Sequence, residues 1–97
     1  AIARSVDKLN HLKSICKNKY GVHIITERID FSFENFHLNI EEKFSKQFDS
    51  VDILINNSAT LFNKAFPDNT YQEALTIYKV NTLAPYFLTC PCYYNIH

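Results

Sequence analysis

The stretch DILINNSA, Asp52 to Ala59, decides how this chain reads. Val51, Ile53, Leu54 and Ile55 form a short apolar run rich in β-branched residues, and the pair Asn56 and Asn57 ends it. Such a run predicts a buried strand of a parallel sheet, the kind covered by helices on both faces. In open α/β sheets, ligands bind outside the carboxyl ends of the strands, so the polar residues from Asn56 onward fall where a ligand would be met.

Helix and strand alternate on either side of this run. Ala1 to Ala3 reads as the end of a strand. Ser5 predicts an N-cap for a helix from Val6 to about Lys19, with Val6, Leu9, Leu12, Ile15 and Cys16 on one face. Gly21, the only glycine, stands where a helix C-terminus needs a left-handed residue. Val22 to Ile29 predicts a second strand, with Asp30 at its carboxyl end. Ser32 predicts a cap for a helix from Phe33 to Phe48, in which Phe36, Ile40, Phe44 and Phe48 recur every four residues. The plain reading of that stripe is packing against a sheet. After the Asp52 run comes a loop from Ser58 to Asn69, with Pro67, Asp68 and Asn69 as turn chemistry. Thr70 and Glu73 have capping-box spacing, so a further helix starts near Tyr71. It is apolar on several sides (Ala74, Leu75, Ile77, Val80, Leu83, Ala84, Phe87, Leu88), as expected of a buried element or a subunit contact. The order βαβαβα predicts an α/β fold in three layers, a parallel sheet with right-handed helical crossovers.

Composition narrows the function. A chain of 97 residues suffices for one small domain, and the apolar content of 46% with 21% charged residues is that of a globular protein. Ten basic and ten acidic residues cancel, which gives no electrostatic case for nucleic acid or an anionic membrane surface. The most apolar stretch, Val80 to Tyr94, is interrupted by Asn81, Thr82, Pro85, Thr89 and Pro91, so no membrane span is expected. No basic segment leading into an apolar core opens the chain. Its start inside an apolar element reads as that of a fragment. Cys16, Cys90 and Cys92 lack zinc-site spacing. Cys90-Pro91-Cys92 is either half of a soft-metal site or a pair of incidental thiols, and reduced thiols fit a cytoplasmic setting. His11, His23, His37 and His97 are scattered, with no partner spacing for a triad or a metal.

Two local conflicts stand out. Arg4 precedes a helix start, where the dipole disfavours a cation, and an anionic ligand would remove the conflict. Otherwise Arg4 is a surface arginine. Pro85 has no N–H, so it leaves the carbonyl of Asn81, four residues earlier, without its helical donor. Either a water takes that carbonyl, or the proline kinks the helix for packing alone.

These residues resemble, in order, the middle of a short-chain dehydrogenase/reductase. Ile2 to Ser5 (IARS) resembles that family's second strand and the turn after it, and Asp30 stands where the family places an adenine-contacting aspartate. Asn56 to Ala59 (NNSA) resembles the family's Asn-Asn-Ala-Gly, and Lys79 to Pro85 (KVNTLAP) resembles the helix with the asparagine of the catalytic tetrad. The loop from Leu61 to Gln72 is similar to the carbonyl reductase branch. The resemblance covers nearly the whole chain. It implies that residues 1–97 are an incomplete NAD(P)-binding Rossmann domain, from the end of the second strand to the helix after the fourth. A NAD enzyme would carry an acid at the end of the second strand; here Ala3 and Arg4 stand there, which leans toward NADP(H) with Arg4 and Ser5 on the 2′-phosphate. Asp30 would meet the adenine amino group and the Phe31 N–H a ring nitrogen, or Asp30 forms only an Asx-turn. Asn57, Ser58 and Ala59 would run beside the cofactor ribose, with Ala59 in place of the usual glycine. Asn81 would hold a water in a proton relay.

The glycine-rich loop and the Tyr-x-x-x-Lys pair of the family do not occur in the 97 residues. The implied parent is an NADP-dependent oxidoreductase passing hydride between nicotinamide and a small carbonyl or alcohol substrate, with assembly as a homo-oligomer open to it. The alternative is a non-catalytic remnant that associates with intact subunits.

Overall fold

The computed structural model describes residues 1–33 and 35–94, with side chains undescribed at 39, 41, 45 and 94. His97 lies outside the described residues. The chain divides into two compact units, Ala1–Asp30 and Phe31–His97.

The first unit is a βαβ turn. Strand β1 (Ile2–Ala3) leads into helix α1 (Val6–Tyr20), and strand β2 (Glu27–Arg28) returns parallel to β1, with Ile2 opposite Glu27 and Ala3 opposite Arg28. The ladder continues beyond the assigned residues, since Glu27 N–H donates to the Ala1 carbonyl and Ile29 N–H to the Ala3 carbonyl. Both ends of α1 follow from sequence. The Ser5 side chain accepts from the Lys8 N–H at 3.3 Å, and Gly21 takes φ 64°, ψ 21° while its N–H closes on the Lys17 carbonyl. A Cβ at Gly21 would meet no atom within 4 Å, so glycine is favoured there by its backbone conformation alone. Of the expected strand from Val22 to Ile29, Glu27–Arg28 forms the strand proper, and bonds to the first strand extend only from Ile25 to Ile29. The apolar face of α1 likewise buries only Leu9, while Val6, Leu12 and Ile15 stay exposed. A two-stranded stub cannot cover a helix of this length.

The second unit is helical. The expected helix from Phe33 begins later, as a 3₁₀ turn (Phe36–Asn39) running into α2 (Ile40–Gln47). Phe, Asn and His are weak helix formers, and i to i+3 bonds such as Leu38 N–H to the Asn35 carbonyl serve instead. The aromatic stripe packs as expected over its first half, where Phe36 and Ile40 are buried. The Phe36 ring meets Phe31 edge-on at 5.4 Å and Phe87 at 6.2 Å, and His37 stacks on Phe87 at 5.0 Å. A short 3₁₀ turn (Phe66–Asp68) precedes α3 (Tyr71–Tyr78), a π-helical segment (Lys79–Leu83) and α4 (Ala84–Tyr94), which form one continuous rod. Helix α2 packs on α4, where Ala84, Leu88 and Cys92 are buried.

Two expectations are corrected. Pro91 does not stop the last helix, because α4 runs through it to Tyr94. The proline removes one helical bond, and the buried positions around it, Leu88 and Cys92, hold the turn. The Val51–Asn56 run, expected as a buried strand, pairs in no sheet among the described residues. Ile53 and Ile55 are each 79% exposed. A strand is stable only with a ladder neighbour, and the described residues supply none.

This exposure has a consequence. The 97-residue chain by itself is expected to associate through its unpaired apolar edge rather than persist as a cooperative monomer. Sedimentation and thermal unfolding check this, and a monomer with a two-state transition would contradict it.

Candidate functional site

Three residues singled out from sequence gather in the first unit. Arg4 and Ser5 follow the carboxyl end of β1. The Ile29 to Ala3 bond brings the end of β2 beside it, so Asp30, half-buried, lies at the same edge. Ser5 is already committed as the α1 cap. Arg4 is exposed, and its carbonyl accepts from the Nε of Arg28 at 3.1 Å. That link crosses 24 residues of sequence and has no local signature.

The second unit holds Phe31, Asn57, Ser58, Ala59 and Asn81. The Phe31 side chain is buried in the aromatic cluster, which leaves only its backbone to meet a ligand. Asn57, Ser58 and Ala59 are exposed along the loop after the Val51–Asn56 run. No described residue other than glycine has positive φ, so Ala59 in place of glycine carries no left-handed strain.

The loop is tied to the rod by one side chain. Thr60 N–H donates to the Asn81 Oδ1 at 2.8 Å, and the Asn81 Nδ2 donates to the Thr60 carbonyl at 2.9 Å. A primary amide is the side chain that can accept from and donate to a single residue's backbone in this way, as a strand neighbour would. Farther along, Lys64 pairs with Glu73, and Asn69 Nδ2 donates to the Ala65 carbonyl at 3.2 Å. Glu73 Oε2 also accepts from Thr70 N–H at 2.9 Å while its own N–H donates to the Thr70 hydroxyl, completing the expected capping box.

Asn81 sits in the middle of the π-helical segment, which sequence reading did not foresee. The Ala84 N–H donates to the Lys79 carbonyl, five residues back, rather than to Val80. Pro85 then supplies no N–H to Asn81. Consecutive carbonyls, Val80 and Asn81, thus lose their ordinary α-helical donors beside the bound loop. Single π turns inside α-helices recur at functional sites.

Among the described residues no group of three His, Cys, Asp or Glu side chains converges. Burial pushes the Cys92 thiol up, away from the thiolate a metal needs. No described helix is long and apolar enough to cross a membrane.

A parallel βαβ unit and a polar loop pinned to a long helix define an α/β protein. Residues 1–94 match the short chain dehydrogenase family, and the chain belongs to it. Solved structures agree on the fold, which is the Rossmann fold expected from sequence. The bulky-bulky ketone specific alcohol dehydrogenase of Comamonas testosteroni is 24% identical with a TM-score of 0.82, over 94% of this chain and 36% of that one. L-sorbose reductase of Gluconobacter frateurii, complexed with NADPH and L-sorbose, is 22% identical with a TM-score of 0.86, over 98% and 36%. An alcohol dehydrogenase of Thermococcus sibiricus, complexed with 5-hydroxy-NADP, is 21% identical with a TM-score of 0.84, over 97% and 40%. The chain thus spans between 36% and 40% of these proteins. No curated protein matches it.

The loop staple has a pH signature. The Lys64 ammonium, and then the Thr70 N–H, hold the Glu73 carboxyl below its ordinary range. A carboxyl whose folded value is depressed stabilises fully above the ordinary glutamate value of about 4.3, and loses that contribution as pH falls through the folded value. The protection of the Thr70 and Glu73 amides, measured against their intrinsic exchange rates at each pH, is therefore expected to fall in acid. Glu73→Gln should remove this pH dependence of the protection. Protection that stays constant into acid in the unsubstituted protein would contradict it.

Proposed function

We propose that residues 1–97 belong to one nucleotide-binding domain of a longer NADP(H)-dependent oxidoreductase acting on a small carbonyl or alcohol. The observation that carries this reading is the Asn81 arrangement: a side chain bound to the loop after Asn56-Asn57, and a carbonyl deprived of its helical donor by Pro85. The bound cofactor would supply or accept the hydride. This chain's residues would bind and orient. Arg4 would take the 2′-phosphate, with Ser5 at the helix start beside it. Asp30 and the Phe31 N–H would face the adenine, and Asn57, Ser58 and Ala59 would line the ribose. The freed Asn81 carbonyl would hold a water for proton transfer to the substrate oxygen. NADPH and NADP-type ligands in two of the fold's neighbours, and their carbonyl and alcohol chemistry, support the reading.

The exposed Ile53 and Ile55 favour a second reading for the 97-residue chain by itself: a non-catalytic piece that associates with intact subunits. A chain without Tyr-x-x-x-Lys or a glycine-rich loop should not turn over NADPH. Turnover by that chain would refute this.

In the complete protein, Arg4→Ala should weaken NADPH binding by about ten- to a hundredfold, the worth of a charge-assisted hydrogen bond, and leave NADH binding nearly unchanged. Equal losses for both would make Arg4 structural. Asn81→Ala keeps the carbonyl but removes both side-chain bonds to Thr60 that hold this segment beside the loop, and should lower turnover by about a hundredfold, a typical loss for an impaired proton path. Pro85→Ala should restore a donor to the Asn81 carbonyl and slow turnover while leaving thermal stability equal or higher. Full turnover in both variants across the pH range would refute the relay.

A further inference from the structure

We propose that Asn57 is a site of spontaneous covalent modification, at which the backbone nitrogen of Ser58 displaces the side-chain amide as ammonia and an acidic residue results. The inference does not rest on the cofactor reading. It follows from which asparagines of the chain are held and which are not.

The chemistry makes three demands. Asparagine is among the thermally labile residues. Its Cγ is attacked by the backbone nitrogen of the next residue once that N–H has given its proton to hydroxide or another solvent base. That N–H must therefore not be committed to an acceptor in the fold. The side-chain amide must be able to turn toward it, and the next side chain must be small enough to leave the approach open.

Most asparagines whose side chains are described fail these demands. Asn10 and Asn18 lie inside α1, where the following N–H belongs to the helical ladder. After Asn35 the Phe36 N–H donates to the Phe33 carbonyl at 3.4 Å, and after Asn63 the Lys64 N–H donates to the Phe62 carbonyl at 2.9 Å. Asn69 is held twice, because its Nδ2 donates to the Ala65 carbonyl at 3.2 Å and the Thr70 N–H donates to Glu73 Oε2 at 2.9 Å. Both amide atoms of Asn81 are bound to Thr60.

Asn56 and Asn57 remain. Both are exposed and lie outside any helix or strand. Their side-chain amides, and the N–H groups of Asn57 and Ser58, make no hydrogen bond among the described residues. The successor then decides between them. Asn56 is followed by the branched amide of Asn57, which crowds the approach. Asn57 is followed by Ser58, which is smaller and whose hydroxyl draws electrons from the N–H and makes it more acidic.

The step balances with water as the only co-reactant. The Ser58 nitrogen forms a bond to Asn57 Cγ, the Cγ–Nδ2 bond breaks, and ammonia leaves a five-membered cyclic imide. Water opening the imide at the former side-chain carbonyl gives aspartate. Opening at the main-chain carbonyl gives isoaspartate, whose chain runs through the side-chain carbon. Nothing is oxidised or reduced. Either product places a negative charge in the segment that Thr60 ties to Asn81, and isoaspartate also lengthens the backbone there.

The test is incubation of the complete protein, without added nucleotide, in mildly acidic and mildly alkaline buffers made with heavy-oxygen water. Peptide mass spectrometry follows, with fragmentation assigning each converted residue. The expected result is conversion at Asn57 several-fold faster than at Asn56 or Asn69, one heavy oxygen in each new carboxylate, both aspartate and isoaspartate as products, and a faster rate in alkali. Ser58→Val, whose branched side chain blocks the approach, should slow conversion at Asn57 several-fold and leave Asn69 unchanged. Ser58→Gly, which opens the approach, should quicken it. Conversion at Asn57 no faster than at Asn69, or unaltered by both Ser58 substitutions, would overturn the inference and leave the cofactor reading as it stands.

Discussion

Much of the second unit depends on one amide. The Asn81 side chain accepts from and donates to the backbone of Thr60, 21 residues away, in the manner of a strand neighbour. No other bond described between the loop after Asn56-Asn57 and the rod lies so near the candidate ligand residues. Without it, Asn57, Ser58 and Ala59 would hang from a run that pairs in no sheet among the described residues. Each of the two bonds is worth on the order of 1 kcal/mol net, and both are lost together when the amide is removed. In the same residue's turn, Pro85 supplies no N–H to the Asn81 carbonyl and the Ala84 N–H goes to Lys79.

The staple at Glu73 plays a related part farther from the ligand edge. Its carboxylate accepts from Lys64 and from the Thr70 N–H, so the loop's far end and the helix start share a single anionic group. The loop is thus held at both ends by side chains of the rod, Asn81 at Thr60 and Glu73 at Lys64. Stapling of this kind orders the segment in one shape, at a cost in chain entropy that the bonds offset.

What was legible in the sequence was local. Ser5 and Gly21 marked the ends of α1, Thr70 with Glu73 marked the start of α3, and the Phe36–Ile40 stripe marked a core face, because capping and periodicity act within a few residues. The family was legible through four landmarks in order, of which only Asn56-Asn57 carried weight by itself. What was not legible was relational. The Asn81–Thr60 and Arg28–Arg4 bonds join residues more than twenty positions apart, and nothing near either partner announces them. The π turn depends on which carbonyl Ala84 chooses, and Pro85 alone predicted only that one carbonyl would lose a donor. The sequence also over-predicted strand, since Val22–Ile29 and Val51–Asn56 have strand composition but most of each lacks a ladder partner here. Composition reports what a segment suits, and a strand exists only when a neighbour completes it.

The role of Asn81 as the link between loop and rod is tested most directly by amide hydrogen exchange at Thr60 in the complete protein and in its Asn81→Leu variant. The Thr60 amide is expected to exchange more slowly than the exposed amides of Asn57 and Ser58, and to lose that protection when leucine removes both hydrogen bonds. Equal exchange at Thr60 in the two proteins would show that the loop is held by something else, and would contradict the account at its centre.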